Sequence, residues 1–150
     1  IILAAAFTAI YGRVYDRKGF KASVAPVLAL LMAGYVLLYF FRATVPVFIG
    51  SLLMMCGYLS GMAVFGAILR DKTPAGKAGM FQGQRIVGQV LIPGIIGPAI
   101  GAKILENAAT IVGDDGTTSF IPNENIFLGA LIAILTVWIV LIPLFRRKEN

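Results

Sequence analysis

Residues 22–41 read ASVAPVLALLMAGYVLLYFF, twenty consecutive positions without a charged side chain. A helix of that length rises about 30 Å, which matches the hydrocarbon thickness of a bilayer. The apolar residues form a continuous block instead of a stripe, so a helix here is apolar all round and must be buried in protein or in lipid. This segment therefore predicts a helix that crosses a membrane.

Three further segments are rich in apolar residues, at 47–69, 80–105 and 126–145, and a shorter apolar stretch covers 1–11. Eleven residues of helix reach only about 16 Å, roughly half of the hydrocarbon core. We therefore expect an all-α membrane protein with four complete transmembrane helices and the end of a fifth. We also expect further helices of the same protein before Ile1.

The composition supports this class and excludes others. Apolar residues make up 59% of the chain and charged residues only 13%, and the mean hydropathy is +0.89. A soluble domain has about 45–50% apolar and about 25% charged residues. The net charge is +6, but the cations lie in short clusters between apolar blocks. That arrangement gives no basic stripe for nucleic acid.

Sites that depend on cysteine or histidine are also excluded. The chain has no histidine and a single cysteine, Cys56, inside an apolar block. A disulfide framework and a Cys/His metal site are therefore ruled out, and we expect no metal and no cofactor. We expect no enzymatic activity either, because neither an H-E-x-x-H motif nor a pair of intramembrane acids is present.

The basic residues predict an orientation. If the predicted spans are joined in order, alternate loops lie on opposite sides, and eleven of the thirteen basic residues fall on one side. These are Arg13, Arg17, Lys18, Lys21, Arg70, Lys72, Lys77, Arg85, Arg146, Arg147 and Lys148. Because basic residues mark the cytoplasmic side, we expect a cytoplasmic C-terminus, with the 106–125 loop and its Asp114-Asp115-Gly116 turn outside. The short loops suggest a bacterial inner membrane.

The first predicted loop, residues 12–21, reads GRVYDRKGFK. It fits the pattern G-x-x-x-D-R-x-G-x-K, whose fixed positions are Gly12, Asp16, Arg17, Gly19 and Lys21. Gly19 is free to adopt a positive φ in a tight turn. Asp16 is suited to cap the positive end of a helix, and Arg17 to bond a carboxylate or a carbonyl group across an interface.

This pattern resembles the cytoplasmic loop signature of the major facilitator superfamily of secondary transporters. In that family the loop lies between the second and third helices, and again between the eighth and ninth. Phe20 stands where the family usually has a basic residue. The resemblance implies a twelve-helix transporter that moves a small solute by alternating access, in which this loop latches the cytoplasmic gate. A basic turn that only sets topology is the alternative.

Two features bear on which copy of the loop this is. Many family members carry an arginine deep in the helix corresponding to 47–69 when the loop is the first copy, and this segment has none. Residues 97–102, GPAIGA, are similar to the G-P-x-x-G-G pattern in the fifth helix of the family's antiporters. We give the missing arginine more weight and expect helix eight through helix twelve, the C-terminal part of the fold.

Polar side chains inside the apolar segments are candidates for lining a substrate cavity: Tyr58, Ser60, Gln82, Arg85 and Gln89. The offsets of three, four and seven place the last three on one helix face. A hydrogen bond to a neighbouring helix is the alternative for Tyr58, and snorkelling to the headgroups is the alternative for Arg85. Because these candidates are mainly neutral amides and a tyrosine and not a cluster of cations, they favour sugars or drug-like solutes.

Small residues and prolines predict where helices pack or bend. Three G-x-x-x-G pairs permit close helix contact in lipid, namely Gly57 with Gly61, Gly97 with Gly101, and Gly79 with Gly83. Pro93 and Pro98 each remove a backbone hydrogen bond and should bend the third complete span. Static packing and a moving contact are both compatible with these residues.

A structural or accessory membrane protein without transport activity is the competing function. No Asp or Glu lies inside a complete predicted span, so no proton-coupling carboxylate is visible. The transporter interpretation therefore rests on the loop pattern and on the orientation. Its expected partners are the lipid bilayer, a small solute and the helices before Ile1.

Overall fold

The computed structural model describes residues 2–146, apart from the side chain of Leu144. The elements are α1 Ile2–Phe40, α2 Thr44–Asp71, α3 Ala78–Ile86, a π-helical turn Val87–Leu91, α4 Ile92–Ile104, β1 Thr110–Val112, β2 Thr118–Phe120 and α5 Asn125–Arg146. Ile1 of the predicted first span and Arg147 and Lys148 of the predicted cytoplasmic tail lie outside the described residues.

The chain is mostly helical (80%). Four helical stretches in residues 2–146 are long and apolar enough to cross a membrane: Ile2–Phe40, Thr44–Asp71, Ala78–Ile104 and Asn125–Pro143. The predicted α-helical class, with four helices of membrane-spanning length and composition, is confirmed. Pro46 lies in the first turn of α2, where its missing N–H leaves no helical bond unmade.

Helix α1 folds back on itself at Gly19. The Tyr11 hydroxyl donates a 2.7 Å hydrogen bond to the carbonyl oxygen of Ser23. Along a straight helix these two residues would be about 18 Å apart, which is beyond the reach of a tyrosine side chain. The helix therefore consists of two limbs that lie side by side: the N-terminal limb, residues 2–18, and the C-terminal limb, residues 20–40.

This reversal is much tighter than the predicted loop over 12–21. Gly19 has φ 73° and ψ −178°, a conformation essentially restricted to glycine, and it reverses the chain within one residue. Residues 12–18 remain helical because Tyr15 is buried while the charged side chains on the other faces stay exposed. The predicted change of direction is thus present, but the predicted extent of the loop is wrong.

The first compact unit holds both limbs of α1, helix α2 and α5 from residue 130 onward. Its core consists of buried side chains from these helices: Tyr15, Val24, Val27, Leu28, Val64, Ile134 and Leu141. The C-terminal limb and α2 approach closely. A Cβ built on Gly34 would lie 2.6 Å from the Met54 nitrogen, and one built on Gly57 would lie 2.7 Å from the Leu31 nitrogen.

Residues 73–129 form the second unit. The predicted third span is interrupted by the π-helical turn, in which the Ile92 N–H donates to the Val87 carbonyl. Pro93 follows directly and has no N–H for the Gln89 carbonyl, so the irregular turn lies where the helical pattern must break.

A two-stranded antiparallel hairpin occupies the predicted outer loop, with Thr110 opposite Phe120. The sequence predicts only the turn of this hairpin. That turn is present, because the Gly116 N–H donates to the Gly113 carbonyl at 2.9 Å and Gly116 has φ 77°.

Candidate functional site

An open cleft of about 230 Å³ lies in the first unit, between the N-terminal limb of α1 and the last turns of α2. The limb contributes Tyr11, Gly12, Tyr15 and Asp16, and α2 contributes Ala63, Val64, Ala67 and Arg70. The floor is formed by apolar α2 side chains, while the rim carries the Asp16 carboxylate and the Arg70 guanidinium group. This cleft is the candidate site.

A tyrosine and an aspartate join the two helices at the cleft. The Tyr15 hydroxyl donates a 2.7 Å hydrogen bond to Oδ2 of Asp71. Tyr15 is only 8% exposed. Nε of Arg70 lies 3.6 Å from Oδ1 of the same carboxylate. A hydrogen bond to an ionised group is about twice as strong as one between neutral groups, so this contact fastens the end of the limb to the end of α2.

A second polar contact joins the same helices further from the cleft. The hydroxyl oxygens of Thr8 and Ser60 are 3.4 Å apart, and the Thr8 hydroxyl also donates to the Ala4 carbonyl at 2.8 Å. Ser60 is completely buried. Predicted as a cavity residue, Ser60 thus lies at a helix–helix contact in this structure.

The structure distributes the five pattern residues over three places. Gly12 and Asp16 line the cleft, and Gly19 makes the reversal. Arg17 lines a separate groove on another face of the limb, and Lys21 is half-buried just after the turn. Of the five pattern residues, only Gly12 and Asp16 therefore line the cleft beside the end of α2.

The remaining cavity candidates divide between the two units. Tyr58 is 52% exposed on α2, in the first unit. Gln82, Arg85 and Gln89 belong to the second. Nε of Arg85 donates a 2.8 Å hydrogen bond to Oε1 of Gln89, so these two side chains share a face across the junction of α3 and the π-helical turn.

The glycine pairs also differ. At Gly57 an added Cβ would collide with Leu31, and at Gly61 it would touch Val27 at 3.4 Å. At Gly97 and Gly101 an added Cβ would meet nothing within 4 Å among the described residues. In this structure the first pair packs helices together and the second lies open.

Sequence reasoning missed Tyr15 and Asp71, the pair that closes the cleft. A signal was present: Tyr11 and Tyr15 are four residues apart, so they share one face of any helix through that segment. Treating 12–21 as a loop concealed this face. Asp71 was counted only as part of a polar loop.

Within residues 2–146, no group of three or more His, Cys, Asp or Glu side chains is arranged to hold a metal ion. Comparison of the chain with protein-family models, with curated proteins and with solved structures finds no match.

Proposed function

We propose that this chain is part of an integral membrane secondary transporter of the major facilitator type, which moves a small solute by alternating access. The supporting observation is the polar closure at the cleft, where Tyr15 bonds Asp71 and the pattern residue Asp16 faces the α2 end that carries Arg70. The proposed membrane is the bacterial inner membrane, with the C-terminus in the cytosol.

Alternating access requires contacts at one membrane face that form in one state and break in the other. The contacts at the cleft suit that role because polar bonds join the ends of two different helices there. Asp71 is 47% exposed at its side chain, so water can replace its partners when the helix ends separate. In this proposal Gly19 lets the chain reverse, and Asp16, which lines the cleft with Gly12, biases the closed state.

Candidate solute contacts are assigned to polar side chains of each unit taken by itself. In the second unit Arg85 and Gln89 bond each other, with Gln82 three residues before Arg85, and in the first unit Tyr58 is 52% exposed on α2. The amides and the phenol donate and accept hydrogen bonds without a net charge. These side chains include Arg85 but no cluster of cations, so the proposed solutes are neutral, such as sugars or drug-like molecules.

Uptake into proteoliposomes tests the proposal. The full-length protein is reconstituted and a panel of radiolabelled neutral sugars and amphiphilic drugs is screened against empty liposomes. We expect at least one solute to accumulate, and we expect Asp16→Asn to reduce its uptake by about tenfold or more at equal protein content. Asp114→Asn, an equivalent change in the exposed hairpin turn, is the matched control and should transport normally.

The transport function and the gating role of the cleft can be rejected separately. If no member of the panel accumulates above empty liposomes, the transport function is rejected for this solute class. If the solute accumulates but Asp16→Asn matches the wild type, transport stands and the gating role of the cleft is rejected.

A further inference from the structure

A second groove, of about 400 Å³, runs along another face of the N-terminal limb. Its lining residues are Ile10, Arg13, Val14, Arg17 and Lys18. The spacing of three, four, seven and eight places all five on one side of a helix. Ile10 lies furthest from Gly19 along the limb, Arg13 and Val14 follow about one turn later, and Arg17 and Lys18 lie shortly before Gly19.

The three cations lack a counter-charge within the part of the chain that the structure describes. Among residues 2–146, Arg13, Arg17 and Lys18 make no ion pair and no hydrogen bond through their side chains. The one acid within this stretch, Asp16, lines the cleft on a different face. Like charges four residues apart on a helix, such as Arg13 and Arg17, destabilise it. An anion in the groove would remove that repulsion.

We infer that this groove binds the headgroup of an anionic phospholipid. The phosphate lies between the guanidinium groups of Arg13 and Arg17 and the ammonium group of Lys18. Arginine forks match phosphate oxygens in pairs, and Lys18 adds a point charge. Ile10 is 60% exposed and lies one turn before Val14, so both offer an apolar surface to the upper part of an acyl chain.

The position of the groove selects a lipid over a soluble anion. Clusters of Lys and Arg at the cytoplasmic end of a transmembrane helix face anionic headgroups directly. Inorganic phosphate has no apolar part that could contact Ile10 and Val14, whereas the acyl chain of a diacyl lipid does. This site depends on the membrane embedding of the chain and not on transport, so a failure of either proposal leaves the other open to test.

Native mass spectrometry of the purified full-length protein tests the inference. The protein is titrated in detergent with dioleoyl phosphatidylglycerol or with zwitterionic dioleoyl phosphatidylcholine. We expect tight binding of phosphatidylglycerol alone. We expect Arg13→Gln/Arg17→Gln/Lys18→Gln to weaken it on the order of a hundredfold, from about fivefold for each cation near an anionic surface. In detergent micelles both faces of the protein are accessible to added lipid, so the direction in which a variant inserts into a membrane does not limit binding.

A charge-matched control separates a site from diffuse attraction. Lys72→Gln/Lys77→Gln/Arg146→Gln removes three exposed cations elsewhere and should change the affinity less than twofold. Circular dichroism and thermal melting show whether each variant folds. If the groove triple variant does not fold, the single variant Arg17→Gln is tested in its place. We expect Arg17→Gln to weaken binding about fivefold. The inference is overturned if both triple variants weaken binding equally, if phosphatidylcholine binds as well, or if millimolar inorganic phosphate displaces the lipid.

Discussion

The hydroxyl of Tyr15 donates a 2.7 Å hydrogen bond to the carboxylate of Asp71, fifty-six residues further along the chain. The bond is possible because Gly19 reverses α1, which lets the N-terminal limb lie beside α2. The charged stretch that the sequence predicts as a loop is therefore helical up to Gly19, and part of it forms one wall of the cleft.

Tyr15→Phe removes the hydroxyl and leaves the ring in place. We expect the free energy of unfolding in detergent micelles to fall by about 1–3 kcal/mol, because a hydrogen bond to a charged group is lost. Tyr58→Phe, at a tyrosine that is 52% exposed, is the control and should change it by less than about 0.5 kcal/mol. Equal losses in the two variants would mean that the bond to Asp71 contributes nothing specific.

Gly57→Ala places a methyl group 2.7 Å from the Leu31 nitrogen. We expect a loss of about 1–3 kcal/mol in the free energy of unfolding, because the two helices must move apart. Gly97→Ala adds the same methyl group where nothing lies within 4 Å among the described residues. It should stabilise α4 by about 0.5–1 kcal/mol. A neutral Gly57→Ala would show that α2 and the C-terminal limb are further apart than described.

Gly19→Ala introduces a Cβ at φ 73°. Since this region of backbone conformation is essentially restricted to glycine, the change should cost about 1–3 kcal/mol, measured by chemical unfolding in micelles. Gly12→Ala lies in the same limb, where an added Cβ meets nothing within 4 Å, and should be neutral or slightly stabilising. If Gly19→Ala is as stable as Gly12→Ala, the reversal is not at Gly19.

The hairpin turn carries a prediction about pH. Thr117 donates to Oδ1 of Asp115 from its hydroxyl at 2.6 Å and from its N–H at 3.1 Å. These bonds hold the pKa of Asp115 below its ordinary value. The bonds favour the carboxylate, so their stabilisation is present above the ordinary pKa of an aspartate and is lost as the pH falls through the lowered value.

Thr117→Val should therefore raise the pKa of Asp115 towards its ordinary value, measured by carboxyl ¹³C NMR titration. The remaining N–H bond should keep part of the depression. Thr118→Val, one residue further on, is the control and should leave the titration of Asp115 unchanged. An unaltered Asp115 titration in Thr117→Val would remove the hydroxyl as the cause.

Much of the helical framework could be predicted from the sequence. Long uncharged blocks such as 22–41 and 47–69 must be buried in protein or in lipid, and in lipid a helix satisfies the backbone hydrogen bonds of the segment. The position of the first reversal was predicted as well, since Gly12 and Gly19 frame a charged stretch. The short length of this reversal could not be predicted, because charged residues are equally compatible with a loop and with the exposed face of a helix. Only the burial of Tyr15 decides between the two.

The partners at the cleft were beyond sequence reasoning for a different reason. A contact such as that between Tyr15 and Asp71 depends on the crossing of two helices, and neither residue type specifies a partner. The hairpin at 110–120 was also missed, because three-residue strands give too short an alternation to detect. The π-helical turn had a local cause in Pro93, but a proline predicts a break without fixing its form.

The most direct test of the membrane assignment is the labelling of single cysteines in intact cells. Cys56, which is buried and free, is first replaced in Cys56→Ala, and Asp114→Cys or Lys72→Cys is then added. A membrane-impermeant maleimide should label Asp114→Cys in intact cells and Lys72→Cys only after permeabilisation. Labelling of both from the same side, or recovery of the protein in the soluble fraction, would contradict the account.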